Sequence, residues 1–317
     1  MAANVLTFYL LEKGATAKLS PESCGQSHSF INPRFMCGYK NIIDKKGYVE
    51  FRTNLKTYIE EKKNEGKADV VAVWFRDLEA GPTFGINERI DFIPASLLKI
   101  PLAITFFDMA ESDPNVLEKT ITYTGTKAEV PNQTFRPYNP LKNGESYTVD
   151  ELINHAIKYS DNVAAQLLYE YLVPQEENSL SQTYRDLGIL EPGTDFNKAI
   201  VTAKGYASIF RQLYNVSFLS QNMSEKLLKL LVNADFPDGI RAGVPKSIIT
   251  AQKFGERYLD NGVKQLHDCG IIYYPGNPYE LCIMTRGNDF NDLKEIIGEI
   301  SKKVYEEVDS RKIDPVR

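Results

Sequence analysis

Apolar residues recur at helical spacing at Phe51, Leu55, Tyr58 and Ile59, and the run gives way to charge around Lys62 to Gly66, so order begins with a helix. The period then changes. Residues 69–77 (DVVAVWFRD) are rich in β-branched and aromatic side chains and read as a buried strand; Gly81-Pro82 marks a turn, and residues 83–87 a second, paired strand. From Ala95 to about Val244 helical patterns dominate. Thr148-Val149-Asp150-Glu151 has the form of a capping box, and Leu152, Ile153, Ala156 and Ile157 supply the apolar stripe of a helix that stops at Tyr159. Further helices are expected over 162–172, from a Thr202 cap to Tyr214, and over 224–232. After Pro245 strands return at 248–255, 267–274 and 279–286, the last two joined by the Pro275-Gly276-Asn277-Pro278 turn. A closing helix over 291–308 carries Leu293, Ile296, Ile297, Ile300 and Val304 on one face.

Two strands before a long helical segment and three after it imply an α/β (α+β) fold in two lobes: one antiparallel five-stranded sheet flanked by terminal helices, with an all-helical lobe inserted. The boundaries this suggests are an irregular lead-in over 1–45, broken by glycine and proline, a sheet-containing lobe made of 46–94 and 245–317, and a helical lobe over 95–244. A functional site belongs between the lobes. With 317 residues, 43% of them apolar, the chain can bury a large core. Its net charge of -5, without a basic cluster, argues against nucleic acid or an anionic membrane surface as the main partner. The apolar stretch from Val5 to Leu11 is too short to span a bilayer, and no export signal is legible.

The chemistry starts at Ser96 and Lys99 in the run PASLLK. A serine hydroxyl needs a neighbour to take its proton, and residues three apart share a helix face, so the Lys99 amine can serve if burial keeps it partly neutral. Alone, this spacing arises by chance. Ser160-Asp161-Asn162 follows in a tight joint between two helices, and Lys253-Phe254-Gly255 in a strand near the C-terminus. Two lysines around one small cavity repel, so neither amine keeps its solution pKa.

With these three motifs, and with the segments YSDNVAAQLL, GIRAGVP and HDCGIIYYPGNPYELCIMTRG in order, the chain resembles the class A β-lactamase-like and penicillin-binding serine hydrolases over residues 48 to 308. The resemblance implies that Ser96 is acylated and that Lys99 is its general base or proton relay. It implies an oxyanion hole made by the backbone N–H groups of Ser96 and Glu256, a proton shuttle at Ser160, and a substrate amide held by Asn162. Lys253 supports Ser160 and the substrate carboxylate from the third motif, beside Phe254 and Gly255. No cofactor or metal is implied. The expected partner is a small β-lactam or a peptidoglycan-stem-like amide, in an extracytoplasmic, cell-envelope setting, with antibiotic resistance as one outcome.

The sequence departs from the family pattern in two places. Phe254 stands where the family has Thr or Ser, so the hydroxyl that binds a substrate carboxylate is missing. In the stretch 187–197, Glu191-Pro192 followed by Asn197 offers Glu191 as the base for deacylation, or as a solvent-facing turn residue; without that base, turnover is slow. A D-alanyl-D-alanine carboxypeptidase or penicillin-binding protein, and a non-catalytic envelope-binding module on the same fold, are the alternative functions.

His28, His155 and His267 sit in no nucleophile-elbow context and are expected to be structural. The cysteines lack metal-ligand spacing. Cys24 and Cys37 are either small apolar residues or the ends of a loop bridge, whereas Cys269 and Cys282 flank the hairpin and are expected side by side without being bonded.

Overall fold

The computed structural model describes residues 29–32, 47–79, 82–125, 134–135, 139–189, 200–259 and 261–311. Helix α1 (Val49–Asn64) leads into strands β1 (Val70–Asp77) and β2 (Thr83–Ile86). A 3-10 turn (Ala95–Leu98) opens into α2 (Lys99–Ser112), followed by a short ribbon, β3 (Thr120–Thr122) and β4 (Ser146–Thr148). Helices α3 (Val149–Lys158), α4 (Asn162–Asp186), α5 (Ala203–Tyr214) and α6 (Gln221–Val232) precede β5 (Thr250–Tyr258), β6 (Lys264–Ile272), β7 (Tyr279–Gly287) and the closing α7 (Phe290–Ser310).

The expected five-stranded antiparallel sheet is present, in the order β2-β1-β7-β6-β5. Alternation along β1 shows why that strand reads as an unbroken apolar run. Ala72 and Trp74 enter one core, shared with α2 to α6, while Val71, Val73 and Phe75 enter a second core under α1 and α7. A sheet covered on both faces keeps its edge strands accessible, and β5 is the edge that faces the start of α2.

Several boundaries differ from expectation, each for a local reason. Helix α4 runs through Pro174 to Asp186 instead of stopping at Leu172. The proline removes one backbone bond, but Leu180, Tyr184 and Leu187 beyond it are buried in the first core, and their burial keeps the helix going. Helix α6 starts at Gln221, not Ser224, because the Ser220 hydroxyl caps it by accepting from Met223 N. Strand β5 lies two or three residues later than expected, and the β3–β4 ribbon is too short for its alternation to be read from sequence. Cys269 and Cys282, directly opposite in the β6–β7 register, are joined by a disulfide and do not remain separate thiols. Cys24, Cys37 and His28 lie outside the described residues, as does most of the lead-in. No described helix is long and apolar enough to cross a membrane.

The Thr148 capping box forms as expected: Thr148 Oγ1 accepts from Glu151 N at 3.1 Å, and Glu151 Oε2 accepts from Thr148 N at 2.7 Å. Replacing Thr148 with Ala should cost about 1 kcal/mol of stability, read as a lower urea midpoint with an unchanged slope.

Candidate active site

The nucleophile turn is built under constraint. Ala95 takes a left-handed φ of 51°, uncommon for a residue with a Cβ, and places Ser96 in the single 3-10 turn before α2. Three side chains distant in sequence hold this turn. His267 Nε2 meets Ile93 O at 3.0 Å, Gln265 Oε1 accepts from Ile93 N at 3.1 Å, and the Tyr206 hydroxyl donates to Leu97 O at 2.7 Å. Burial pulls the His267 imidazole down to about 4, so it is neutral here and acts as a brace, with its ring edge-on to Phe92. Pro101 falls in the first turn of α2, where its missing N–H costs little.

The second motif is fixed by its middle residue. Asp161 Oδ1 accepts from Val163 N and Ala164 N, capping α4, and Ser160 adopts a left-handed φ of 54° just before it. That backbone aims the Ser160 hydroxyl and the Asn162 amide into the crevice from adjacent positions. Opposite them, Gly255 lets β5 lie against the nucleophile turn, because a Cβ there would stand 2.8 Å from Pro94 O and 3.1 Å from Leu97 Cγ. The close approach carries Lys253 inward.

These elements meet at one oxygen. Lys253 Nζ donates to Ser160 Oγ at 2.8 Å, and Lys99 Nζ lies 3.3 Å from the same atom. Lys99 also donates to Ser160 O and to Asn162 Oδ1, the latter at 2.7 Å, and Lys253 to Phe254 O at 3.0 Å. Both lysines are buried, Lys253 to 1% exposure. Desolvation pulls the Lys99 amine down to about 7, against the opposing pull of the Asp161 and Glu256 carboxylates. Lys253 is driven well below its ordinary range by burial first and by the Lys99 charge second. Beneath them, burial raises Asp268 to about 7 even though Ile240 N donates to it.

The structure thus brings Lys99, Ser160, Asn162 and Lys253 into direct contact, with Ser96 and Gly255 on adjoining walls. In this arrangement the Lys99 amine is engaged with Ser160 and Asn162 and makes no hydrogen bond to Ser96. Phe254 follows Lys253 on β5. Its ring is stacked on Phe236 at 4.1 Å, met edge-on by Phe135 and covered by the Lys253 amine at 4.6 Å. Glu256 contributes more than the backbone N–H expected of it: its carboxylate accepts from Thr134 N at 3.0 Å and Phe135 N at 2.9 Å, tying a separate segment to β5. Glu191 lies outside the described residues. Sequence reasoning missed the supporting set of Gln265, Tyr206, Phe236 and Phe135. Of these, only the alternation of Gln265 and His267 on one strand face carries a signal, and it does not say what that face meets.

A serine hydrolase that works without histidine needs a buried amine for the serine proton, and this crevice supplies two; the class is that of serine enzymes acting through an acyl-enzyme. The chain belongs to the β-lactamase enzyme family, whose model matches residues 50–308. It is 25% identical over 272 residues to the extended-spectrum β-lactamase PER-1 of Pseudomonas aeruginosa, covering 80% of this chain and 86% of that protein. A structure of a point mutant of PBP-A in acyl-enzyme complex with penicillin G superposes with a TM-score of 0.69 at 20% identity, covering 85% of this chain and 100% of that one. The extended-spectrum β-lactamase TLA-3 gives 0.69 at 21% identity, covering 81% of this chain and 98% of that one. These structural likenesses concern the fold.

Gly255→Ala should leave the fold largely intact but force β5 away from the turn at Pro94. The expected loss in acylation is about a hundredfold or more, measured as the single-turnover rate beside a melting curve. For Lys99 the sign of the pH effect follows from its lowered pKa. Between about 7 and 10.5 the unfolded chain binds a proton that folded Lys99 has released, so this residue makes stability rise with pH across that interval. Lys253 acts in the same sense. Lys99→Met should abolish acylation, raise the melting temperature at neutral pH and flatten the alkaline rise in stability; a melting temperature that falls would refute the buried-amine account.

Proposed function

We propose that Ser96 attacks a β-lactam or D-alanyl-type amide to form an acyl-enzyme. The observation that carries this reading is the Ser160 hydroxyl held between the Lys253 and Lys99 amines, beside the turn that presents Ser96. Asn162 Oδ1 can accept either from Lys99 or from the amide N–H of a substrate. Substrate binding then takes over Asn162 and releases the neutral amine toward Ser96, which lies three residues earlier on the same face. The oxyanion is received by the N–H groups of Ser96 and Glu256, and Ser160 relays the proton that Lys99 takes from Ser96 on to the leaving nitrogen, with Lys253 holding the Ser160 hydroxyl in place.

The third motif shapes specificity. With an aromatic ring in place of a hydroxyl, a substrate carboxylate is left to Lys253 alone, which disfavours substrates that depend on that hydroxyl by about 1 to 3 kcal/mol. Glu191 is proposed as the base for deacylation. The disulfide between Cys269 and Cys282 supports an extracytoplasmic, cell-envelope location, where such bonds persist. The acidic balance of the chain favours a small-molecule partner over nucleic acid.

Intact mass after incubation with a fluorescent penicillin tests the reading. An adduct in the wild type, stable or transient, that is absent in Ser96→Ala supports it; a folded protein that is never labelled by penicillin or by a D-alanyl thioester overturns it. The acylation rate should rise with pH through about 7 as Lys99 loses its proton. Phe254→Thr should lose about 2 to 4 kcal/mol of stability from the broken aromatic stack, measured by denaturant titration, while gaining in acylation by carboxylate-bearing substrates.

A further inference from the structure

A second cavity, of about 480 Å³, opens between β1, β7 and α5. It lies two to three strands from β5, on the order of 10 to 14 Å across the sheet from the crevice of the two lysines. Its lining is strongly cationic. Arg76 comes from β1, Arg89 from the segment after β2, and Lys204 and Arg211 from α5. Lys204 Nζ stands 5.0 Å above the Trp74 ring and Arg76 Cζ 5.7 Å from it, so two cations share one aromatic floor.

Like charges are gathered here with little compensation. Among the described residues, the carboxylates within ion-pair distance of the four cations are Glu280, 3.5 Å from Arg76, and Glu88, 3.7 Å from Arg89. The α5 N-terminus adds the positive end of its dipole, although its amides are mostly engaged: Gly205 N with Thr202 Oγ1, Lys204 N with Glu88 O. An assembly of this kind is stable once an anion occupies it.

Glu280 narrows the chemistry. It lies directly opposite Arg76 in the β1–β7 register and is 1% exposed. Its Oε1 accepts from Trp74 Nε1 at 2.7 Å, while its Oε2 is buried with no hydrogen-bond partner. Burial raises this carboxyl to about 7, against the Trp74 hydrogen bond and the charges of Arg76 and Arg211. A buried carboxyl among cations suits an anion that can share a proton with it. Phosphate and its monoesters still carry a proton up to neutrality, and inorganic hydrogen phosphate keeps one well above it; sulfate carries none.

We propose that this cavity binds a phosphate-type oxyanion, either free or as the phosphoryl group of a small molecule, gripped by Arg76, Arg211, Lys204 and Arg89 and sharing one proton with Glu280 Oε2. The site is independent of Ser96 chemistry and stands or falls apart from it.

Trp74 is the only tryptophan in the chain, so its fluorescence reports this cavity alone. The test titrates the full chain with inorganic phosphate, glycerol phosphate and sulfate at constant ionic strength, using chloride as the balance. The expected result is a saturable change at millimolar phosphate or below, weakened about tenfold by Arg211→Gln, with the melting temperature and penicillin labelling of Ser96 unchanged. Arg89 is 80% exposed, so Arg89→Glu cannot unfold the protein by packing loss and should weaken binding several-fold. Above neutral pH sulfate should bind less tightly than phosphate in the wild type, and the two should converge in Glu280→Gln, whose amide donates to either anion. Tighter binding of glycerol phosphate assigns the site to an ester, and tighter binding of inorganic phosphate to the free ion; either supports the proposal. A response no larger than that to chloride, an affinity unchanged in both arginine variants, or equal sulfate and phosphate binding above neutral pH in the wild type overturns it.

Discussion

Two buried lysine amines share the hydroxyl of Ser160 in one crevice, and much of the surrounding architecture makes that tolerable. Two full charges so placed repel strongly, and burial alone disfavours each of them. The protein meets this with carboxylates kept at a distance: Asp161 is occupied with capping a helix, Glu256 with holding two amides, and Asp268 with the Ile240 N–H below. These groups temper the lysines without forming direct ion pairs that would fix them in the charged state. Lys99 is left near the point where it gains and loses a proton at ordinary pH.

The same tension explains why the supporting residues come from so many elements. A neutral amine is useful only if the hydroxyls around it cannot drift, and a 3-10 turn with a left-handed alanine at its start has little rigidity of its own. Rigidity is imported from the sheet through Gln265 and His267, and from α5 through Tyr206. Each of these is a polar side chain brought into a largely apolar interior to hold the backbone around the nucleophile turn.

How much of this could be read in advance follows from how local each signal is. The capping box at Thr148, the alternation in β1 and the amphipathic α7 are written within a few residues, so element type and order were legible, as were the three short motifs and their sequence order. The extension of α4 past Pro174 was not, because burial of Leu180 and Tyr184 outweighs a local breaking signal only once the core is assembled. The brace at Ile93 was hidden for the same reason: Gln265 and His267 are some 170 residues away, and nothing in their own neighbourhood says that their side chains end at that backbone. The aromatic cluster was half visible, since Phe254 stands out as a replacement, but its partners Phe236 and Phe135 are ordinary apolar residues until the fold joins them.

Glu256 follows Gly255 on the edge strand β5, and its carboxylate grips the amides of Thr134 and Phe135, more than a hundred residues earlier in the chain. A single side chain therefore clamps that segment to the strand, and the Phe135 ring held this way packs on Phe236 and Phe254. The anchoring of residues 134 and 135 and the aromatic cover of Phe254 thus hang on the same carboxylate, and a change at position 256 disturbs both together.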